Sequence, residues 1–296
     1  MLIPADGIGH IRLTSYYYIK ELSNGDVDLN IKRAENTLGI NAKIKIANAV
    51  VEDAFENFKR PVIVWSAGKD STVMLHLVRR YIGDDTRKIY ALFIDHGMHY
   101  PETLKMLEEV AESWNVKVVT AKNNDVIDNI NENGEVEISK LNAKNKREVA
   151  TLGYSGDKFK YGLDSEVANH ILKTVPMKNE ILKNRFDCAF IGVRWDENNA
   201  RSTELFMHPR DDPPHVRVHP ILTFTEADIW NYIFKFELPI HPLYYQGYRS
   251  IDGINDSKPT DTRPAWEQDL VGTEERAGRS QDKEGIMEKL RELGYM

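Results

Sequence analysis

The stretch Ser66-Ala67-Gly68-Lys69-Asp70-Ser71 puts two hydroxyls, a lysine, a carboxylate and a glycine within six residues. It follows the apolar run Val62-Ile63-Val64-Trp65 and leads into an amphipathic pattern that ends near Arg80. A strand that turns into a helix through such residues suits an anion. Gly68 lets the backbone turn tightly and approach the ligand, and the amides at the helix N-terminus point outward to bind it. Ser66 and Ser71 add hydroxyl donors, and Lys69 adds a point charge. The spacing departs from G-x-x-x-x-G-K-[ST], so this is no Walker A loop. Asp70 makes sense either as a cap on the helix or as a ligand to magnesium. The plainer reading of the whole stretch is a surface helix cap with an incidental lysine.

Other groups point the same way. Asp95 closes the apolar run from Lys88, where its carboxylate could face a nucleotide or metal, or simply cap a turn with His96 and Gly97. His96 and His99 have no further clustered ligand nearby, which argues against a metal site. Arg194 and Arg201 lie just after another apolar run, and guanidinium forks suit phosphate or sulfate oxyanions. Two of them at a strand end can neutralise charge on a transferred phosphoryl group. Asp196 and Glu197 could equally satisfy them in a plain surface network. Arg276 and Arg279, near the C-terminus, either close an anionic site or form a solvated basic turn.

The elements that position these groups follow from periodicity. Ile44, Ala47, Val50, Val51, Ala54, Phe55 and Phe58 keep a helical period, and residues 61–66 then read as a buried strand. From Thr72 a second helix carries Val73, Met74, Leu77, Val78 and Tyr81 on one face, followed by a strand over 88–95. Pro101 suits the first turn of a third helix through Leu104, Leu107, Val110, Ala111 and Trp114, and 116–121 gives a third strand. Residues 123–161 are rich in Asn, Asp, Glu, Lys and Gly and read as an inserted, mobile excursion. A helix near 177–184, a strand over 187–193 and a strand-like 216–221 restore the pattern. Thr225 caps the next helix, with Asp228 completing a capping box ahead of Ile229, Trp230, Ile233 and Phe236. From Pro239 the chain is loop-rich until a short helix over 283–293. Alternating strands and helices imply an α/β fold, a parallel sheet covered by helices on both faces. The division is an N-terminal extension over 1–40, a domain over 41–240 and a loop-rich tail over 241–296.

Composition narrows the function. The 296 residues are 41% hydrophobic, enough to bury a large core, and they hold no membrane-length apolar run. With no signal-peptide pattern at the start, the expectation is a soluble, cytoplasmic protein without membrane association. A net charge of -7 disfavours a broad nucleic-acid surface and favours a small anion held in one cleft. Cys188 is the single cysteine, so an intrachain disulfide, a cysteine zinc cluster and a four-cysteine iron-sulfur cluster are excluded. Its apolar surroundings read as those of a buried structural thiol.

The loop resembles the S-x-G-K-D-S pyrophosphate loop (PP-loop) of the N-type ATP pyrophosphatases, in the branch shared by sulfate adenylyltransferase small subunits and phosphoadenosine phosphosulfate reductases. FIDHGMHYPETL (93–104), GVRWDENNARS (192–202) and the run from Val218 to Ile251 are similar to that branch in the same order. His96 departs from the pattern, which commonly has threonine there. The resemblance implies a Rossmann-like fold of the adenine nucleotide α-hydrolase-like kind, with adenosine across the first and second strand ends. It also implies a loop of Ser66, Ala67, Gly68, Lys69, Asp70 and Ser71 that holds the polyphosphate of a nucleotide attacked at its α-phosphate. The tail, Glu275-Arg276-Ala277-Gly278-Arg279 leading into a charged segment, is similar to the adenylyltransferases and carries no reductase cysteine.

The implied reaction is ATP plus sulfate to adenylyl sulfate and pyrophosphate. Magnesium accompanies the ATP, and Lys69, Arg194 and Arg201 supply positive charge. A GTPase partner subunit is implied by the instability of the product. The alternatives are a sulfonucleotide-binding or sulfur-transfer relative that borrows its thiol, and a non-catalytic nucleotide-binding subunit. The first forty residues and the insertion match nothing in this pattern and suit a lid, a partner surface or a homo-oligomer contact.

Overall fold

In the computed structural model, residues 38–83, 89–197, 201 and 204–279 are described. Six strands form one sheet in the order β3-β2-β1-β6-β8-β7: β1 (Pro61–Val64), β2 (Tyr90–Asp95), β3 (Lys117–Lys122), β6 (Cys188–Phe190), β7 (Met207–Asp211) and β8 (Pro214–Val218). All neighbours are parallel except β7, which pairs antiparallel with β8 at the edge. The order reverses beside β1. The chain moves outward from β1 through β2 to β3, then returns to β6 on the other side, so a crevice opens above the carboxyl ends of β1 and β6.

Helices cover both faces, as the alternating pattern requires. Helix α1 (Ile40–Asn57), α2 (Lys69–Ile82) and α3 (Pro101–Ser113) bury Ile46, Val50, Met74, Leu75, Val78, Met106 and Leu107 against Ile63, Phe93 and Phe190 of the sheet. Pro101 opens α3, where its missing N–H leaves no intrahelical bond unmade. Helix α2 is also buried on its flank, where Val73 and Leu77 meet Ile229 and Ile233 of a helix running from Glu226 to Lys235. Tyr81, expected on the apolar face, is largely exposed and leans on Phe55. The opposite face packs Val62, Leu92 and Ala189 against Met177 and Ile181. Cys188 is fully buried in β6, and burial pushes its thiol pKa up.

The excursion after β3 carries more order than its composition suggests. It contains helix α4 (Asn124–Ile127), strands β4 (Glu135–Glu137) and β5 (Lys158–Lys160) paired antiparallel, and α5 (Ala143–Thr151) between them. Val126, Val136, Val149 and Phe159 pack with Ile171 and Leu172 in a small core of their own. Polar residues enclose few but well-placed apolar ones, which weakens periodicity without preventing burial. The helical run that follows starts as α6 (Glu166–Asn169), widens into a π-helical turn (His170–Thr174) and continues as α7 (Val175–Asn184), with Pro176 in the first turn of α7. The widened turn ends one residue before Pro176, which can donate no helical hydrogen bond.

After the sheet, Thr225 and Asp228 form the expected capping box on α8 (Glu226–Lys235), and the described chain then proceeds only in short 3-10 turns. The predicted helix over 283–293 and most of the N-terminal extension lie outside the described residues. No described helix is long and apolar enough to cross a membrane. Lys43, buried in α1, donates to Asp228 at 2.5 Å, so the cap also joins α8 to α1. Thr225→Ala should lower stability by about 1 kcal/mol in urea denaturation, the usual cost of a lost N-cap; no change would show that the box contributes nothing to the packed helix.

Candidate anion site at the sheet reversal

The loop after β1 builds its turn differently from the sequence expectation. Ala67, not Gly68, takes the left-handed backbone, with φ 59°. Gly68 is the extended N-cap of α2, and a Cβ there would come within 3.2 Å of Ser66 Oγ. The two serines lock the turn: Ser71 Oγ accepts from the Ser66 amide at 3.2 Å and donates to the Gly68 carbonyl at 3.1 Å. Trp65 Nε1 donates to Thr72 Oγ1 at 3.1 Å beneath the loop. Opposite, Gly192 leaves β6 so close to α2 that a Cβ would lie 3.2 Å from the Asp70 carbonyl carbon and the Ser71 amide nitrogen. A side chain at Gly192 would force the start of α2 to give by a few tenths of an ångström.

That approach brings Arg194 to the loop. Arg194 is fully buried, and its guanidinium contacts Asp70, Asp196 (2.8 Å) and Glu275. Lys69, 3% exposed, donates to Glu275 at 2.5 Å and to the Arg249 carbonyl at 3.1 Å, while its amide donates to the Tyr244 hydroxyl at 2.9 Å. Burial works to raise the Glu275 pKa, but Arg194 and Lys69 outweigh it and hold this carboxylate far below the usual range. Burial likewise works against the Lys69 charge, and Glu275 together with Tyr244 and Glu226 more than compensates, so the Lys69 pKa is raised. Arg249 is held at 2.5 Å by Glu226, whose own pKa is raised by burial and by the nearby Glu275 charge.

Asp70 therefore pairs with Arg194 and lies 3.3 Å from Lys69 Nζ, with no side-chain cap bond on the helix. Arg201 and Arg276 both bond Glu197, Arg276 at 2.8 Å. Asp196 and Glu197 thus engage the arginines in the network that sequence reading kept as the alternative. This network is buried, however, and lies at the carboxyl edge of the sheet.

The second strand end forms an adjacent cluster. Asp95 accepts from the Gly97 amide and from Lys122, each at 2.8 Å, capping the turn. Gly97 has φ +80° and faces the Tyr161 hydroxyl, which donates to the His96 carbonyl at 2.6 Å. The insertion is tied to the site edge by that bond. His96 stacks on His99 with ring centroids 3.7 Å apart and stands 3.3 Å from Asp252. Burial, reinforced by the neighbouring His96, lowers the His99 pKa to about 4. Asp252 also holds Lys173 from the π-helical turn and Arg279 at 2.6 Å. Among the described residues no group of three His, Cys, Asp or Glu side chains could hold a metal ion.

Sequence reasoning brought Ser66, Ala67, Gly68, Lys69, Asp70, Ser71 and Arg194 to one place, and Arg201 and Arg276 to its edge through Glu197. Asp95 and Arg279 belong to the neighbouring cluster. It missed Tyr244, Arg249, Glu226, Glu275, Lys173 and Asp252. The signal for Glu275 was present, since it stands immediately before Arg276, but the arginines alone were read as anion ligands. Lys173 and Asp252 had no local signal, because a π-helical turn and a tail loop bring them together.

A family model described as phosphoadenosine phosphosulfate reductase domain matches residues 60–259. A protein named sulfate adenylyltransferase subunit 2 2 from Alkalilimnicola ehrlichii is 28% identical over 225 residues, 68% of this chain and 66% of that one. One named sulfate adenylyltransferase subunit 2 from Streptomyces lavendulae is 29% identical over 217 residues, 66% of this chain and 59% of its own. The match thus spans just under two thirds, or less, of these relatives' length. The crystal structure of Candida glabrata FMN adenylyltransferase is similar in fold, with TM-score 0.56 and 15% identity over 93% of this chain and 98% of that one.

The Asp252 cluster fixes a pH dependence. Burial works to raise the Asp252 pKa, but Lys173 and Arg279 outweigh it and hold it well below the usual range. A depressed carboxyl contributes stability that is fully present above its unfolded pKa, roughly pH 4, and is lost as pH falls toward the folded value. Asp252→Asn should cost about 3 kcal/mol or more near pH 7, because two buried cations lose their counter-charge. Urea denaturation of both proteins should show this gap narrowing below about pH 4. A gap constant with pH would contradict the assignment.

Proposed function

The chain belongs to the phosphoadenosine phosphosulfate reductase domain family, and from that premise we propose that it is a nucleotidyltransferase cleaving ATP between its α- and β-phosphates with sulfate as the acceptor. The observation that carries this reading is the meeting of Lys69 and Arg194 at the reversal of the sheet, over a loop that ends in a helix N-terminus. The names of the relatives favour the same reaction. So does the only cysteine of the sequence, Cys188, which is buried in the middle of the sheet and cannot serve thiol-based reduction there.

In this reading the polyphosphate lies along the loop and the adenosine across the ends of β1 and β2. Sulfate attacks the α-phosphorus in line, the bond to the bridging oxygen breaks, and pyrophosphate leaves into the loop. The chain's part is positioning and charge stabilisation, with Lys69 and Arg194 closest to the leaving group and Arg201 and Arg276 behind it. Asp70 would hold a magnesium ion together with phosphate oxygens, a mixed coordination that suits this metal and needs no three-ligand protein cage. That ion would supply further positive charge to the polyphosphate. Adenylyl sulfate and pyrophosphate are uphill from ATP and sulfate, so a GTPase partner is part of the proposal. The word subunit in the relatives' names accords with a partner chain.

Incubating the full chain with ATP, magnesium and sulfate, with and without a GTPase partner and GTP, should release pyrophosphate and form adenylyl sulfate. Lys69→Ala, checked for an unchanged melting profile, should lower the rate by about 10²- to 10³-fold, the usual effect of removing one preorganised charge donor. ATP binding without sulfate-dependent pyrophosphate release under every condition would overturn the reading.

A further inference from the structure

Among the described residues, Glu275 is the one carboxylate of the loop network that arrives from outside the layered domain. Its two partners, Lys69 and Arg194, are the groups that would meet the polyphosphate, so the inference rests on the reading above. Asp70 sits in the first turn of α2, and Asp196 follows β6 and accepts the Glu226 amide at 2.7 Å. Both are fixed by rigid elements. Glu275 instead starts a four-residue 3-10 turn, Glu275–Gly278. The Lys258 amide donates to the Gly278 carbonyl at 3.0 Å, and Ser257 bridges to Arg279. The turn makes few backbone bonds to the rest of the chain and is held mainly by side-chain pairs, Arg276 to Glu197 and Arg279 to Asp252, so its backbone opens at lower cost than a helix in the core. Glu275 also faces like charge, since it helps raise the pKa of Glu226.

We propose that Glu275 is an internal competitor for the polyphosphate site: its carboxylate holds Lys69 and Arg194 when no nucleotide is present, and entering polyphosphate displaces it and releases the 274–279 turn. A buried cation pair needs a counter-charge at all times. A carboxylate from a loosely held turn provides one that can leave, and its return assists release of pyrophosphate. Apparent affinity for pyrophosphate is then reduced by the fraction of molecules in which Glu275 holds the site.

The test is pyrophosphate binding by calorimetry, with and without magnesium, to the full-length wild type and to Glu275→Gln, joined to hydrogen exchange of the wild type. Glu275→Gln keeps the shape and removes the charge, and should bind pyrophosphate at least about tenfold more tightly. In the wild type, pyrophosphate should speed exchange of the Ala277, Arg279 and Lys258 amides, a readout that does not depend on how any variant folds. Equal affinity of the two proteins, or slower exchange of these amides on binding, would overturn the competitor while leaving the polyphosphate site standing. No binding to either protein would overturn both.

Discussion

Everything at the carboxyl edge of the sheet depends on two buried cations. Lys69 and Arg194 have almost no contact with solvent, and removing a charged group from water costs several kcal/mol unless another charge meets it. The chain answers with Asp70, Asp196 and Glu275, drawn from a helix, a strand exit and a distant tail. Such a network adds little net stability compared with an apolar core, yet it is destructive to break. Its presence in a domain with ample apolar core is better explained by binding than by folding. Positive charge prepared in a dry cleft is strong toward an entering anion and needs no reorganisation when that anion arrives.

The topology makes the network unavoidable. Where the strand order reverses, β1 and β6 run side by side while their following segments diverge, so the loop after β1 and the segment after β6 face one another. Gly192 comes into close backbone contact with the start of α2. Ala67 takes a left-handed conformation that costs a non-glycine residue about 1 kcal/mol or more, and the serine bonds hold it there. Strain and close approach occur together at the place where the charges meet.

Legibility in the sequence followed the range of the interactions. The layered fold was readable because β1, β2 and β6 are short apolar runs and the covering helices have apolar faces, both local signals; the edge strand β7, Met207–Asp211, has no such run and was not foreseen. Thr225 with Asp228 and Pro101 were readable for the same reason. Ser66 to Ser71 and Arg194 were readable as residue types suited to anions. Which carboxylates would meet them was not, because Glu275 is over two hundred positions from Lys69 in the chain. Gly68 illustrates the limit of composition: glycine suggested the tight turn, but the left-handed position fell one residue earlier, on Ala67. The insertion misled in the other direction, since a polar surface hid the few apolar residues around Val136 and Phe159.

The tail has an electrostatic role that goes beyond any one pair. Two of its carboxylates each hold two cations: Glu275 takes Lys69 and Arg194 from the sheet edge, and Asp252 takes Lys173 from the domain and Arg279 from the tail itself. Arg276 reaches across to Glu197, so the same segment also supplies a cation to the domain. The tail therefore brings counter-charge to the edge it covers, while Tyr244, Ala265, Trp266 and Leu270 pack it against Ile229, Trp230 and Ile233. A covering of this kind responds to charge. Arg279 stands at the end of the turn that Glu275 begins, so release of that turn would also bear on the Asp252 cluster, and the two clusters are coupled through the tail.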